Sequence, residues 1–235
     1  MEGLYKVEYE MNGGFGRSVM YVHGGKMFGG NTAFAHLGDC ETIDGDIVAE
    51  INTKRHSASP RHRTLIGPRD VTIKMRGKLQ DGEAYLFIGD VVQEPGRGFR
   101  ALMTPLSDGD MPPPGTVGEG GVVSGLYSIK MRMLDGVDGG NTGVMLLRHG
   151  RILGGDAFFY YMGAYSSANG RWKGEFVNQE HTPALAEHPL FGGHEVGIGF
   201  SGSCDASSAG LEAMALVGRR SIRLAATLRL MRPFG

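Results

Sequence analysis

Gly3-Leu4-Tyr5-Lys6-Val7-Glu8-Tyr9-Glu10-Met11 decides the fold of this chain, because it alternates with a period of two and because it returns. Tyr5, Val7, Tyr9 and Met11 fall on one side, Lys6, Glu8 and Glu10 on the other. The second version is Gly125-Leu126-Tyr127-Ser128-Ile129-Lys130-Met131-Arg132-Met133, with Tyr127, Ile129, Met131 and Met133 set against Ser128, Lys130 and Arg132. Strict alternation describes a strand with one buried and one wet face, which suits antiparallel sheet better than a parallel α/β sheet.

The repetition continues. After a three-residue insertion in the second copy, residues 16–78 align on residues 141–203 without a gap. Shared pairs include Gly25/Gly150, Gly29/Gly154, Gly30/Gly155, Phe34/Phe159, Gly38/Gly163, Gly45/Gly170, His56/His181, Val71/Val196, Ile73/Ile198 and Gly77/Gly202. The period is longer than the roughly 20–50 residues of solenoid and propeller repeats, so each copy is expected to be a small domain of its own. The shared residues are mostly glycines and apolar positions, which specify a fold rather than a reaction.

Further alternating runs follow in both copies. Ile47, Ala49 and Ile51 face away from Glu50 and Asn52, as Trp172, Gly174 and Phe176 do from Lys173 and Glu175. Val71, Ile73 and Met75 alternate with Thr72, Lys74 and Arg76, matched by Val196, Ile198 and Phe200. Asx-Gly turns punctuate these runs at Asn12-Gly13, Asp44-Gly45, Asp81-Gly82, Asp135-Gly136 and Asn169-Gly170, supplying the positive φ that tight hairpins require. The first copy reads as eight strands near 2–10, 16–23, 26–32, 34–40, 46–53, 70–78, 84–92 and 97–104. The fold class is therefore all-β: two tandem small antiparallel up-and-down barrels of about eight strands, each filled by side chains or holding one small ligand. The domains are 1–107 and 122–235. Between them lies a Pro/Gly linker, 108–121, whose Pro112-Pro113-Pro114 favours a stiff extended segment with glycines loosening its ends. The connection from His56 to Gly67 has room for a helical turn, as has Pro183–His188.

The 235 residues carry 24 basic and 25 acidic side chains, a net charge of −1, which gives no general attraction to nucleic acid or anionic membrane. Arg219, Arg220, Arg223, Arg229 and Arg232 read as a solvated strand face. Hydrophobic content of 41% suits a globular protein. Cys40 and Cys204 are not repeat equivalents and form no disulfide framework, which points to a reducing compartment. With no apolar leader and no run long enough to span a bilayer as a helix, the expected location is the cytoplasm.

Chemistry is sparse. His56, His62, His181, His188 and His194 match no zinc spacing; the repeat-internal pair His56/His181 reads as loop histidines holding backbone groups. Gly13-Gly14-Phe15-Gly16 and Gly118-Glu119-Gly120-Gly121 lack the strand-to-helix context of a phosphate cradle. Gly199-Phe200-Ser201-Gly202 lacks the spacing of a nucleophile elbow. Gly29-Gly30-Asn31 and Gly154-Gly155-Asp156, the densest shared motif, read as a bulge, a barrel corner or a close backbone approach. No catalytic residue, metal site or cofactor is expected.

These motifs carry a resemblance. Gly125-Leu126-Tyr127-Ser128-Ile129, then Gly150-x-Ile152-x-Gly154-Gly155-Asp156 and Gly163, resembles the GrlR-like family of small β-barrel negative regulators of type III secretion gene expression. Gly3-Leu4-Tyr5-Lys6-Val7 with Gly29-Gly30-Asn31 and Gly38 resembles it too, so the chain reads as a tandem of two copies. The resemblance implies a non-enzymatic regulator that binds a protein partner, a helix-turn-helix activator in the family, through a run of four surface acids. The matching turn here is Ile43-Asp44-Gly45-Asp46 in the first copy and Ala168-Asn169-Gly170-Arg171 in the second. Asp44 and Asp46 are accordingly the partner-binding residues expected, both exposed beside the turn. The resemblance also implies lipocalin-like barrels that pair into dimers, and two fused copies would make such a pair within one chain, with the gain in effective concentration that linkage gives. The alternative is a carrier or sensor of a small apolar ligand, its cavity lined by Trp172, Phe176 and Phe200.

Overall fold

Sixteen strands account for the regular structure of the computed structural model, which describes residues 1–57, 65, 67, 69–106, 112–134, 141–184, 191 and 195–234. The chain divides into two units, Met1–Asp108 and Gly109–Gly235. In the first, β1 (Gly3–Met11), β2 (Gly14–His23), β3 (Lys26–Gly30), β4 (Phe34–Ile43), β5 (Asp46–Arg55), β6 (Val71–Leu79), β7 (Tyr85–Val91) and β8 (Gly98–Pro105) follow one another around a closed barrel. The second repeats the order with β9 (Gly125–Met133), β10 (Asn141–Arg148), β11 (Arg151–Gly155), β12 (Phe159–Ala168), β13 (Arg171–Glu180), β14 (Val196–Cys204), β15 (Ser208–Val217) and β16 (Arg220–Pro233). Every neighbouring pair is antiparallel, and β8 closes on β1 as β16 closes on β9. The all-β, two-barrel expectation holds, and among the described residues there is no helix. His62, His188 and His194, the Asp135-Gly136 turn and most of the two long loops lie outside the described residues.

Alternation places the core. Tyr5, Val7, Val71, Ile73, Phe87 and Met103 fill one barrel, and Tyr127, Ile129, Val196, Ile198, Phe176 and Trp172 the other. The opposite face carries Lys6, Glu8, Glu50 and Lys74, with ion pairs Lys6–Glu8 at 3.1 Å and Lys74–Glu50 at 3.3 Å. That arrangement inverts a membrane-spanning barrel, which turns apolar residues outward. β2 and β10 depart from it, because Val19–Val22 and Val144–Leu147 are apolar on both faces and buried on both, and Ile88, Leu102, Met214 and Leu216 are exposed apolar residues on the outer face of other strands.

The repeated glycines mark close approaches between neighbouring strands. A Cβ at Gly38 would stand 2.2 Å from the Glu50 carbonyl oxygen, and one at Gly163 2.2 Å from that of Glu175. Gly29 and Gly154 meet the Val19 and Val144 carbonyls in the same way, at 2.0 and 2.3 Å. Strong coiling of a small barrel presses adjacent backbones together, and only glycine fits.

Candidate functional site

The β4–β5 hairpin carries the acidic turn. Asp44 and Gly45 take φ of 54° and 84°, the pair of positive angles a two-residue turn demands. Asp44 is exposed. Asp46 corrects the expectation of two open carboxylates: it is 16% exposed and held by Arg76 Nη1 at 3.0 Å and Lys78 Nζ at 3.7 Å. The reason is register, since Arg76 and Lys78 on β6 project from the same outer face as the end of β5. Glu41, two residues before the turn's flank, is exposed as well, so the open carboxylates of this rim are Asp44 and Glu41 rather than Asp44 and Asp46.

The equivalent β12–β13 turn, Asn169-Gly170 with φ of 53° and 73°, is covered. The segment read as a linker lies along it from Gly115 onward. Ser167 N–H donates to the Thr116 carbonyl at 2.9 Å, Gly118 N–H to Ser167 at 2.8 Å, Asn169 N–H to Glu119 at 2.8 Å and Gly170 N–H to Gly120 at 2.8 Å. Val122 then turns into the barrel core. Its glycines are required by contact: a Cβ on Gly115 would sit 2.2 Å from the Tyr165 carbonyl oxygen, and one on Gly121 2.7 Å from Ser167 Oγ.

Trp172, Phe176 and Phe200 meet inside the second barrel. The Trp172 and Phe200 rings are 4.6 Å apart, Phe176 and Phe200 6.0 Å, and the indole N–H donates to the Gly210 carbonyl at 2.8 Å. All three are buried against each other, so their surface is spent on mutual packing.

The two repeat-internal motifs come together at the β3–β4 connection. His56 Nε2 lies 3.0 Å from the Asn31 carbonyl oxygen, and His181 Nε2 3.4 Å from that of Asp156. These histidines hold the turn that follows the paired glycines, as their position in the repeat suggested. Two buried groups went unnoticed in the sequence. His36 is enclosed, its Nδ1 has no hydrogen-bond partner, and burial, with the neighbouring His56, lowers its pKa to about 4. Its repeat equivalent is Tyr161, whose buried hydroxyl stands beside the Asp156 carboxyl without the alignment of a regular hydrogen bond. Burial raises the Asp156 pKa to about 6, against the lowering effect of the Phe158 and Phe159 N–H groups. Only tertiary closure of the barrels makes these positions interior.

Nothing in this inventory forms a nucleophile–base pair. Cys40 and Cys204 are free, and burial raises the pKa of each, which favours the unreactive thiol. Among the described residues no three His, Cys, Asp or Glu side chains converge as metal ligands would.

No family model matches the chain, and no curated protein matches it in sequence. Among solved structures it is similar to a candidate outer membrane protein of Bacteroides fragilis at 8% identity, over 97% of this chain and 96% of that one, with a TM-score of 0.26. It is also similar to the immune modulator A of Aeromonas veronii at 10% identity, over 97% and 94% of the two chains, with a TM-score of 0.23.

Proposed function

We propose that this chain is a non-enzymatic, cytoplasmic regulatory binding protein that recognises a protein partner on the outer surface of its first barrel. The observation that carries this reading is the state of the interiors. Both are occupied by the chain's own side chains, with seventeen buried hydrophobic residues in the first barrel's core among the described residues. Small barrels of this type either fill with side chains or hold a ligand, and packing of this kind leaves the outside for recognition. Exposed Asp44 stands in the turn where the GrlR-like resemblance puts an activator-binding motif, with exposed Glu41 on the strand leading into it. A transcriptional regulator is the partner that the resemblance favours.

The test is cross-linking in the native host followed by mass spectrometry, beside native mass spectrometry of the purified chain. The reading expects bare protein by mass and a protein partner cross-linked to the first barrel. A stoichiometric co-purifying small molecule with no protein cross-link would overturn it in favour of an apolar-ligand carrier.

A further inference from the structure

Strand β12 runs past its short neighbour β11, which pairs with it only from Tyr160 to Ala164. The overhang, residues 165–169, turns backbone groups outward, and the segment Gly115–Gly121 satisfies them as an added strand. Val117 and Ser167 form a parallel bridge there. Strand β4 overhangs β3 in the same way: pairing ends at Asp39 opposite Lys26, and one further bond runs from Cys40 N–H to the Gly25 carbonyl, as Tyr165 N–H bonds Gly150. Beyond it Glu41, Thr42, Ile43 and Asp44 are all exposed; Glu41–Ile43 pair with β5 on one side, and among the described residues no strand pairs with them on the other. By parity with Ser167 and Asn169, the Thr42 N–H and C=O and the Asp44 N–H face outward.

We infer that this open edge, Glu41–Asp44, takes an extended, basic, glycine-bearing segment of a protein partner as an added β-strand. The inference rests on the reading of the chain as a protein-binding protein and names the place and chemistry of contact. The second barrel shows that an overhang of this length seats a strand. Strand addition uses main-chain hydrogen bonds for affinity and side-chain pockets for specificity, and an uncovered edge is its usual template.

Charge separates the two edges. In the second barrel Ser166 and Asn169 flank the edge, and the covering segment carries an acid, Glu119. In the first barrel the same flanks are Glu41 and Asp44, which would repel such a segment and attract a basic one. Exposed Ile43 lies between them and offers apolar contact. An open surface groove of about 750 Å³ continues from the edge over Gly25, Lys26, Cys40, Glu41 and Glu50. Glycine is needed where the partner passes Cys40, because at the twin position a Cβ on Gly115 would come 2.2 Å from the Tyr165 carbonyl oxygen.

The probe is a synthetic nonapeptide of residues 113–121 with Glu119→Lys, compared with the native Glu peptide, against the full chain. In the free protein the Ser167 amide should exchange slowly and the Thr42 amide fast. Adding the Lys peptide at millimolar concentration should slow exchange at Thr42 and Asp44 about tenfold, the Glu peptide much less. Thr42→Pro removes the edge donor and should abolish the protection; an edge position tolerates proline. Glu41→Lys with Asp44→Lys, which leaves the backbone alone, should reverse the preference between the peptides. Unchanged exchange at Thr42 and Asp44 with either peptide, or protection surviving Thr42→Pro, overturns the proposal. A cross-linked partner that binds Thr42→Pro as tightly as the native chain also refutes the edge while leaving surface recognition intact. Absence of any cross-linked partner counts only against the broader reading.

Discussion

Asn31 and Asp156 hold the same turn in the two barrels with one side-chain atom changed. Asn31 Oδ1 accepts from Ala33 and Phe34 N–H, both at 2.9 Å; Asp156 Oδ1 accepts from Phe158 and Phe159 N–H at 2.8 and 2.9 Å. Their own N–H groups donate to Phe34 and Phe159 at 2.8 and 2.9 Å. What differs is the other side-chain atom. Asn31 Nδ2 donates to the Tyr9 hydroxyl at 3.1 Å, whereas Asp156 brings an ionisable carboxyl into an enclosed place.

Asp156→Asn should therefore stabilise the second barrel at neutral pH. With the folded pKa near 6 and the ordinary value 3.8, the native carboxyl keeps its proton while the unfolded one has lost it. Stability falls as pH rises through that window, and the loss is complete above it. Two pH units correspond to about 3 kcal/mol. Urea unfolding followed by Trp172, the chain's single tryptophan, should show a higher midpoint at pH 4 than at pH 7, and Asp156→Asn should remove the difference. A lower midpoint for the variant at pH 7 would contradict this.

His36 makes the first barrel sensitive in the opposite sense. Its folded pKa lies near 4, below the ordinary 6.5, so unfolded chains take up the proton first as pH falls. Stability is whole above 6.5 and lost between 6.5 and 4, by about 3 kcal/mol. The protection factors of the Val7 and Ile51 amides, taken relative to intrinsic exchange at each pH, should fall on acidification while those of Ile129 and Phe176 do not follow. His36→Phe should flatten the response of the first barrel; an unchanged acid profile would remove His36 as its cause.

Gly163→Ala and Gly199→Ala should separate glycines kept for space from glycines that are merely present. The first meets the Glu175 carbonyl oxygen at 2.2 Å; the second meets nothing within 4 Å. Gly163→Ala should destabilise by about 1–3 kcal/mol or more, like other overpacked sites, while Gly199→Ala stays within about 1 kcal/mol of the native chain. Equal thermal midpoints for the two variants would defeat the close-approach explanation.

Phe200→Ala should cost about 3–5 kcal/mol, because Trp172 and Phe176 both pack on that ring. The first barrel should unfold at its native midpoint in this variant, a check on the independence of the two cores. Loss of both transitions together would show that the barrels unfold as one.

Strand number, turn positions and the duplicated architecture were legible in the sequence. Period-two alternation and Asx-Gly turns are local properties: Tyr5, Val7, Ile73 and their twins declare the inward face without reference to the rest of the chain. The histidine pair His56/His181 could also be assigned to holding a loop, because a residue kept in both copies must serve what both copies share. What surrounds a side chain was not legible. Asp46 reads as an exposed partner of Asp44, and only the register of β5 on β6 brings Arg76 and Lys78 to it. Nothing in the sequence around His36, or in the Gly154-Gly155-Asp156 motif, declares that barrel closure takes both side chains out of water. The glycines of 115–121 read as looseness, whereas tertiary packing makes them the only residues that fit against β12. Alternation and turn chemistry act within a few residues, so the sequence by itself determined two up-and-down barrels. Neutralisation, burial and the covering of the β12 edge depend on groups many residues apart, and only the tertiary structure decided them.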